Sequence, residues 1–188
     1  MANVSKKGAT VIGHLYGAPH NGAVRRFQHA AADSVALFVG DVVKLAGSAS
    51  TLGDIPTIVQ AAAGDVPLGI IVGFEPNYDN LTQLHNPAST LRNVLVNCDP
   101  NVLFTMQEDS VGGALAITDI GENVDIVVGS GSTVTGLSGM ELDSSTHNTT
   151  SAQVRILGLD PTPGNALGVN AKFICMFNEH VYKSTTGS

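Results

Sequence analysis

The chain has 188 residues, 43% of them hydrophobic, so it can bury the core of one sizeable domain. Aromatic residues make up only 5% and Trp is absent, which counts against a surface that stacks sugars or single-stranded bases. The net charge of −7 is concentrated in residues 27–154, where fourteen acidic side chains face only Lys44 and Arg92; such a body repels nucleic-acid phosphates.

Residues 1–23 are broken by Gly and Pro and show no periodic apolar face. They are expected as an extended N-terminal arm ahead of a β-rich body over 24–188. Residues 1–26 are basic, with Lys6, Lys7, Arg25 and Arg26 and no acid, so these four are candidate contacts to an acidic neighbour, another copy of the chain included. From Val24 onward the texture changes to short apolar runs rich in β-branched residues, broken by Gly, Pro, Asn and Asp. Strands are expected at 25–30, 36–38, 42–46, 57–61 and 68–74. A second set is expected at 93–97, 103–107, 126–128, 138–142, 154–158 and 172–177. Short runs with turn signals between them are the pattern of an all-β fold, a single β-barrel or β-sandwich-like body.

Particular stretches refine this. "VGDVVKL" and "IGENVDIV" each enter a strand through a Gly-acid pair, the Gly suited to positive φ and the acid to bonding the next backbone N–H groups. Residues 77–93, "NYDNLTQLHNPASTLRN", are polar and Pro-containing, a projecting loop within one interleaved unit. In "AQVRILGL" polar Gln153 and Arg155 alternate with apolar Val154 and Ile156, whereas "KFICMFN" is nearly all apolar and reads as a central strand. Gly or Pro interrupts every stretch that would need helical continuity, leaving room for a helical turn near 81–84 or 114–117.

The most site-like stretch is the Gly/Ser/Thr run from Ile126 to Gly158. Gly129 and Gly131 begin a dinucleotide-loop spacing, but Val134 occupies the third glycine position, and no Lys falls between Lys44 and Lys172. The run is expected to be a flexible turn joining two strands. Asp143, Ser144, Ser145 and His147 crowd into five residues of one loop, too close to be aimed as a triad, and their hydroxyls are expected to bond turn backbone. The six histidines show no ligand spacing, and "DIGENVD" lacks the order of a calcium loop, so no metal or cofactor is expected. Cys98 and Cys175 are solitary in apolar contexts and read as buried free thiols. No leader pattern and no apolar run near 18 residues is present, so neither secretion nor a membrane is expected.

Taken in order, "SVALFVGDVVKLAGSAS", "PLGIIVGFEPN", "DIGENVDIVVGSGSTVTGLSGMELD" and "VRILGLDPTPGNALGVNAKFICMFNEH" resemble head decoration (capsid cement) proteins of tailed bacteriophages. The likeness covers most of the chain after Val24. It implies a structural virion protein on the capsid surface, made in the host cytoplasm, with no catalytic residues. It further implies a small β body, often trimeric, whose partners are the major capsid protein and other copies of itself. Lys6, Lys7, Arg25 and Arg26 would then be capsid or subunit contacts, and the Ala-rich "HAAADSVALF" and "QAAAGDV" would suit close subunit packing. The alternatives are another virion piece, from the tail or head completion, and a carbohydrate- or receptor-binding β-module.

Overall fold

The computed structural model describes residues 6–17, 22 and 24–184. Among these residues twelve strands follow one another: β1 Thr10–His14, β2 Val24–His29, β3 Val42–Ala49, β4 Pro56–Gln60, β5 Gly69–Phe74, β6 Arg92–Asn97, β7 Val102–Gln107, β8 Asn123–Val124, β9 Ile126–Val127, β10 Glu141–Leu142, β11 Val154–Leu159 and β12 Lys172–Phe177. Helical geometry is confined to two 3-10 turns, Ile117–Asp119 and Ser144–Thr146. Strands β2, β4, β3, β5 and β6 close into a barrel in that order. Strands β1, β7, β12, β11 and β8 form an open sheet, and β9 pairs with β10. The body is therefore all β.

Paired apolar residues explain how barrel and sheet join. A strand turns successive side chains to opposite faces, so a strand with two adjacent buried apolar residues is covered on both sides. Val43 of β3 and Ile71 of β5 fill the barrel with Phe27, Ile58, Val94 and Val96. Their neighbours Val42 and Ile70 enter a second core with Phe104, Phe173, Phe177, Ile126 and Met140. Each such side chain contributes about 1.5–3 kcal/mol when fully buried, so two strands stabilise both cores at once. Strand β12 lies between β7 and β11, the central place its apolar run predicts. Gln153 is fully buried, and its Nε2 donates to the carbonyls of Ala62 (2.8 Å) and Asp65 (2.6 Å) while Oε1 accepts from Ile126 N (3.0 Å). It fastens the β4–β5 connection to the neighbouring sheet, a use of polarity that alternation alone does not reveal.

The N-terminal segment is extended, but its described part is built into the body rather than free. Strand β1 pairs antiparallel with β7 as the sheet's edge, and Ala9 is buried. Just before it, Gly8 crosses the Gly40 turn at such close range that a Cβ on Gly8 would stand 2.4 Å from the Gly40 carbonyl oxygen. Both glycines have positive φ, and Ala9 N donates to Gly40 O at 2.9 Å. Apolar periodicity missed β1 because an edge strand of five residues with a glycine in it carries almost none. The rest of the expected arm, residues 1–5, 18–21 and 23, lies outside the described residues. The expected strand at 36–38 is corrected to two isolated bridges, Leu37 to Asn86 and Val39 to Leu137. Its backbone is shared between two loops, so no single strand runs alongside it.

Candidate functional site

Segment 37–39 is the clamp that creates the most distinctive surface of the molecule. On one side Leu37 and Asn86 exchange backbone hydrogen bonds of 2.9 and 2.8 Å. On the other, Val39 N donates to Gly136 O at 2.9 Å and Ser138 N donates to Val39 O at 2.8 Å. The polar loop 77–93 and the Gly/Ser/Thr loop 128–140 are thereby brought together, although some fifty residues separate them. Phe38 stacks on His85 with ring centroids 5.0 Å apart. Gly136, at φ +72°, lies so close to Leu84 that a Cβ would stand 2.6 Å from its carbonyl oxygen. The run that reads as a flexible turn is thus a close-packed strap, in which Gly129, Gly136 and Gly139 serve backbone contact and Gly131 lies against the Phe38 ring.

Buried polar groups hold the clamp. Asp41 is 1% exposed and accepts hydrogen bonds from the Ser138 hydroxyl (2.5 Å), Phe38 N (2.8 Å) and Gln60 Nε2 (3.2 Å). Burial raises its pKa, and these three bonds oppose the shift. The acid therefore bonds the N–H three residues before it, not those that follow. Beneath loop 77–93, His29 is fully buried between Asp33, 3.0 Å from Nε2, and the Asn86 amide, 2.7 Å from Nδ1. Both ring nitrogens are engaged, and the contact with Asn86 ties loop 77–93 to the barrel.

The two loops display large apolar side chains to solvent: Tyr78 is 89% exposed, Val134 84%, Leu81 75% and Leu84 53%. Beside them a cleft of about 390 Å³ is lined by Gln28, Glu75, Tyr78, Leu91, Arg92 and Asn93, among others. Arg92 is fixed in its wall, donating to the carbonyls of Glu75 (2.8 Å) and His85 (2.9 Å), with its guanidinium carbon 5.2 Å from the Phe74 ring centroid. Such an arrangement can make broad, non-covalent contact with an apolar-cored partner surface.

The four basic residues singled out in the sequence do not converge. Lys6 pairs with Glu141 of the same chain at 2.6 Å, and Lys7 is exposed. Arg25 and Arg26 leave β2 on opposite faces, Arg25 toward the Tyr182 hydroxyl (3.5 Å) and Arg26 toward Glu75 (3.5 Å) at the cleft. Sequence reasoning pointed to the two loops but not to Leu81, Leu84 and Val134; the signal was apolar residues inside otherwise polar loops.

The crowded loop around Ser144 is structural. Ser144 Oγ lies 2.8 Å from Asp109 Oδ1 and 3.0 Å from Val111 O, which share its one hydroxyl hydrogen, and Ser145 Oγ donates to Asp143 (2.6 Å). His147 turns away to Glu122, 2.9 Å from its Nδ1, which raises the imidazole's pKa. Asp119 joins that pair, so three groups of metal-ligating type meet where the sequence showed no ligand spacing. They come from two turns about 25 residues apart, a proximity that only tertiary pairing creates. Cys98 and Cys175 are buried free thiols, and burial pushes both pKa values up. No helix among the described residues is long and apolar enough to cross a membrane. No protein-family model, curated protein or solved structure matches the chain.

Proposed function

We propose that the chain is a structural virion protein that docks on the outside of a tailed-bacteriophage capsid, against the major capsid protein, and reinforces contacts between capsomers without catalysis. One observation carries the reading: the loops at 77–93 and 128–140 display Tyr78, Leu81, Leu84 and Val134 from a backbone clamped to the barrel. Apolar side chains held out on a rigid scaffold lower solubility unless a partner covers them. A preformed surface also loses little conformational entropy on binding. The resemblance noted for the sequence after Val24 supports the same reading. Exposed Ala31, Ala32, Ala62 and Ala63 at the barrel rim suit close approach of further copies, and the proposal includes a homotrimer.

Cosedimentation tests this directly. Purified chain is mixed with capsids assembled without it, and light scattering gives its own mass. Saturable binding to capsids, with a trimer mass in solution or on the particle, is the expected result. Binding to tail structures instead of heads, or to an immobilised glycan with no capsid binding, would overturn it.

A further inference from the structure

We propose that Asp119, Glu122 and His147 form a site for a single divalent cation of the zinc class. One ligand atom from each side chain lies within 4.8 Å of the other two. His147 Nδ1 stands 2.9 Å from Glu122 Oε2 and 4.0 Å from Asp119 Oδ1. Donors bonded tetrahedrally to one ion at about 2.1 Å are separated by roughly 3.4 Å, a value the two observed spacings bracket. The observed spacings therefore admit an ion after small side-chain rotations.

Two further features distinguish this group from acids scattered on a surface. The first is its scaffold. Asp119 ends the turn Ile117–Asp119, Glu122 precedes β8, and His147 follows the turn Ser144–Thr146. Asn123 and Asn148, next to two of the ligands, exchange backbone hydrogen bonds of 2.8 Å and fix the turns against each other. Asp119 is further oriented by Ala116 N on Oδ2 (2.7 Å) and the Thr118 hydroxyl on Oδ1 (3.0 Å), as outer groups orient a ligand. The second feature is charge. Among the described residues, Asp119 and Glu122 have no Lys or Arg within ion-pair distance, and the imidazole is their one counter-group.

The donor set selects the ion. An imidazole nitrogen is poorly matched to calcium or magnesium, which take oxygen ligands. It suits zinc and its neighbours, for which three protein ligands with an open position is a familiar arrangement. The His147 side chain is 42% exposed, so water or a partner's donor can complete the shell. A bound cation would staple the two turns together and stabilise the fold in proportion to its occupancy. This is a property of the free chain and does not depend on what that chain docks to.

The test uses the full chain after chelator treatment. Zn2+ is titrated by calorimetry, Co2+ is followed by visible absorbance, and Mg2+ serves as the oxygen-selective control. A single equivalent of Zn2+, a raised thermal midpoint and a protein-dependent Co2+ band are expected, with no comparable Mg2+ effect. Glu122→Gln, close in shape, and His147→Ala should each weaken Zn2+ binding by about tenfold or more. Exposed Asp54→Asn should leave it unchanged. Absence of heat and of any midpoint shift at millimolar Zn2+ would overturn the proposal. So would equal affinity in wild type and both folded ligand variants, which would place the metal elsewhere.

Discussion

At the scale of single residues, Asp41 does more than open a strand. Its carboxylate joins the 37–39 clamp, β4 through Gln60 and the Gly/Ser/Thr loop through Ser138. Asp41→Ala would leave buried donors without partners, and each such loss costs about 1–3 kcal/mol. We expect a total of about 3 kcal/mol, or a fall in thermal midpoint of roughly 6–12 °C for a chain of this size. Asp41→Asn keeps one carbonyl acceptor and carries no charge to desolvate, so it should cost about 1 kcal/mol. Equal midpoints for the Ala variant and wild type would contradict this role. His180 gives the fold a pH dependence. It is 1% exposed, its Nδ1 accepts from Tyr182 N at 3.1 Å, and burial lowers its pKa from 6.5 to about 4. Between those values the unfolded chain binds the proton that the folded chain refuses. This contribution is therefore complete above pH 6.5 and is lost as pH falls toward 4, by ~3 kcal/mol at most. Thermal midpoints measured at pH 7 and pH 4.5 should differ more in wild type than in His180→Phe.

At the scale of elements, the first strand matters most for how the chain is handled. Strand β1 covers the β7 edge, Gly8 locks into the Gly40 turn, and Lys6 is the counter-charge of buried Glu141. Removing residues 1–14 should therefore destabilise the body and expose a strand edge prone to self-association. Lys6→Ala alone should cost about 1–2 kcal/mol, because a mostly buried carboxylate loses its partner. A truncated chain that melts with wild type and stays monodisperse would show that β1 is dispensable. The same elements show where the sequence was legible. The strands with paired or alternating apolar residues, β3, β5, β7, β11 and β12, could be placed within a few residues. Strands β1 and β8 could not, one interrupted by Gly13 and the other two residues long. The two loops announced themselves by composition, but their meeting through segment 37–39 and the Asp119–Glu122–His147 grouping are products of long-range pairing. No local pattern encodes such contacts.

At the scale of the whole molecule, barrel and sheet share a core, and one end carries the two clamped loops with their apolar display. On the proposed function, this end is the face that meets the capsid. That assignment is tested by measuring occupancy on capsids assembled without the chain, comparing wild type with Leu81→Ser, Leu84→Ser and Val134→Ser combined. These side chains are largely solvent-exposed, so the triple variant should keep its thermal midpoint. The variant should fold but decorate capsids at least about tenfold more weakly, as expected when apolar anchors leave an interface. Wild-type occupancy by the folded variant would contradict it and move the docking face to another part of the body.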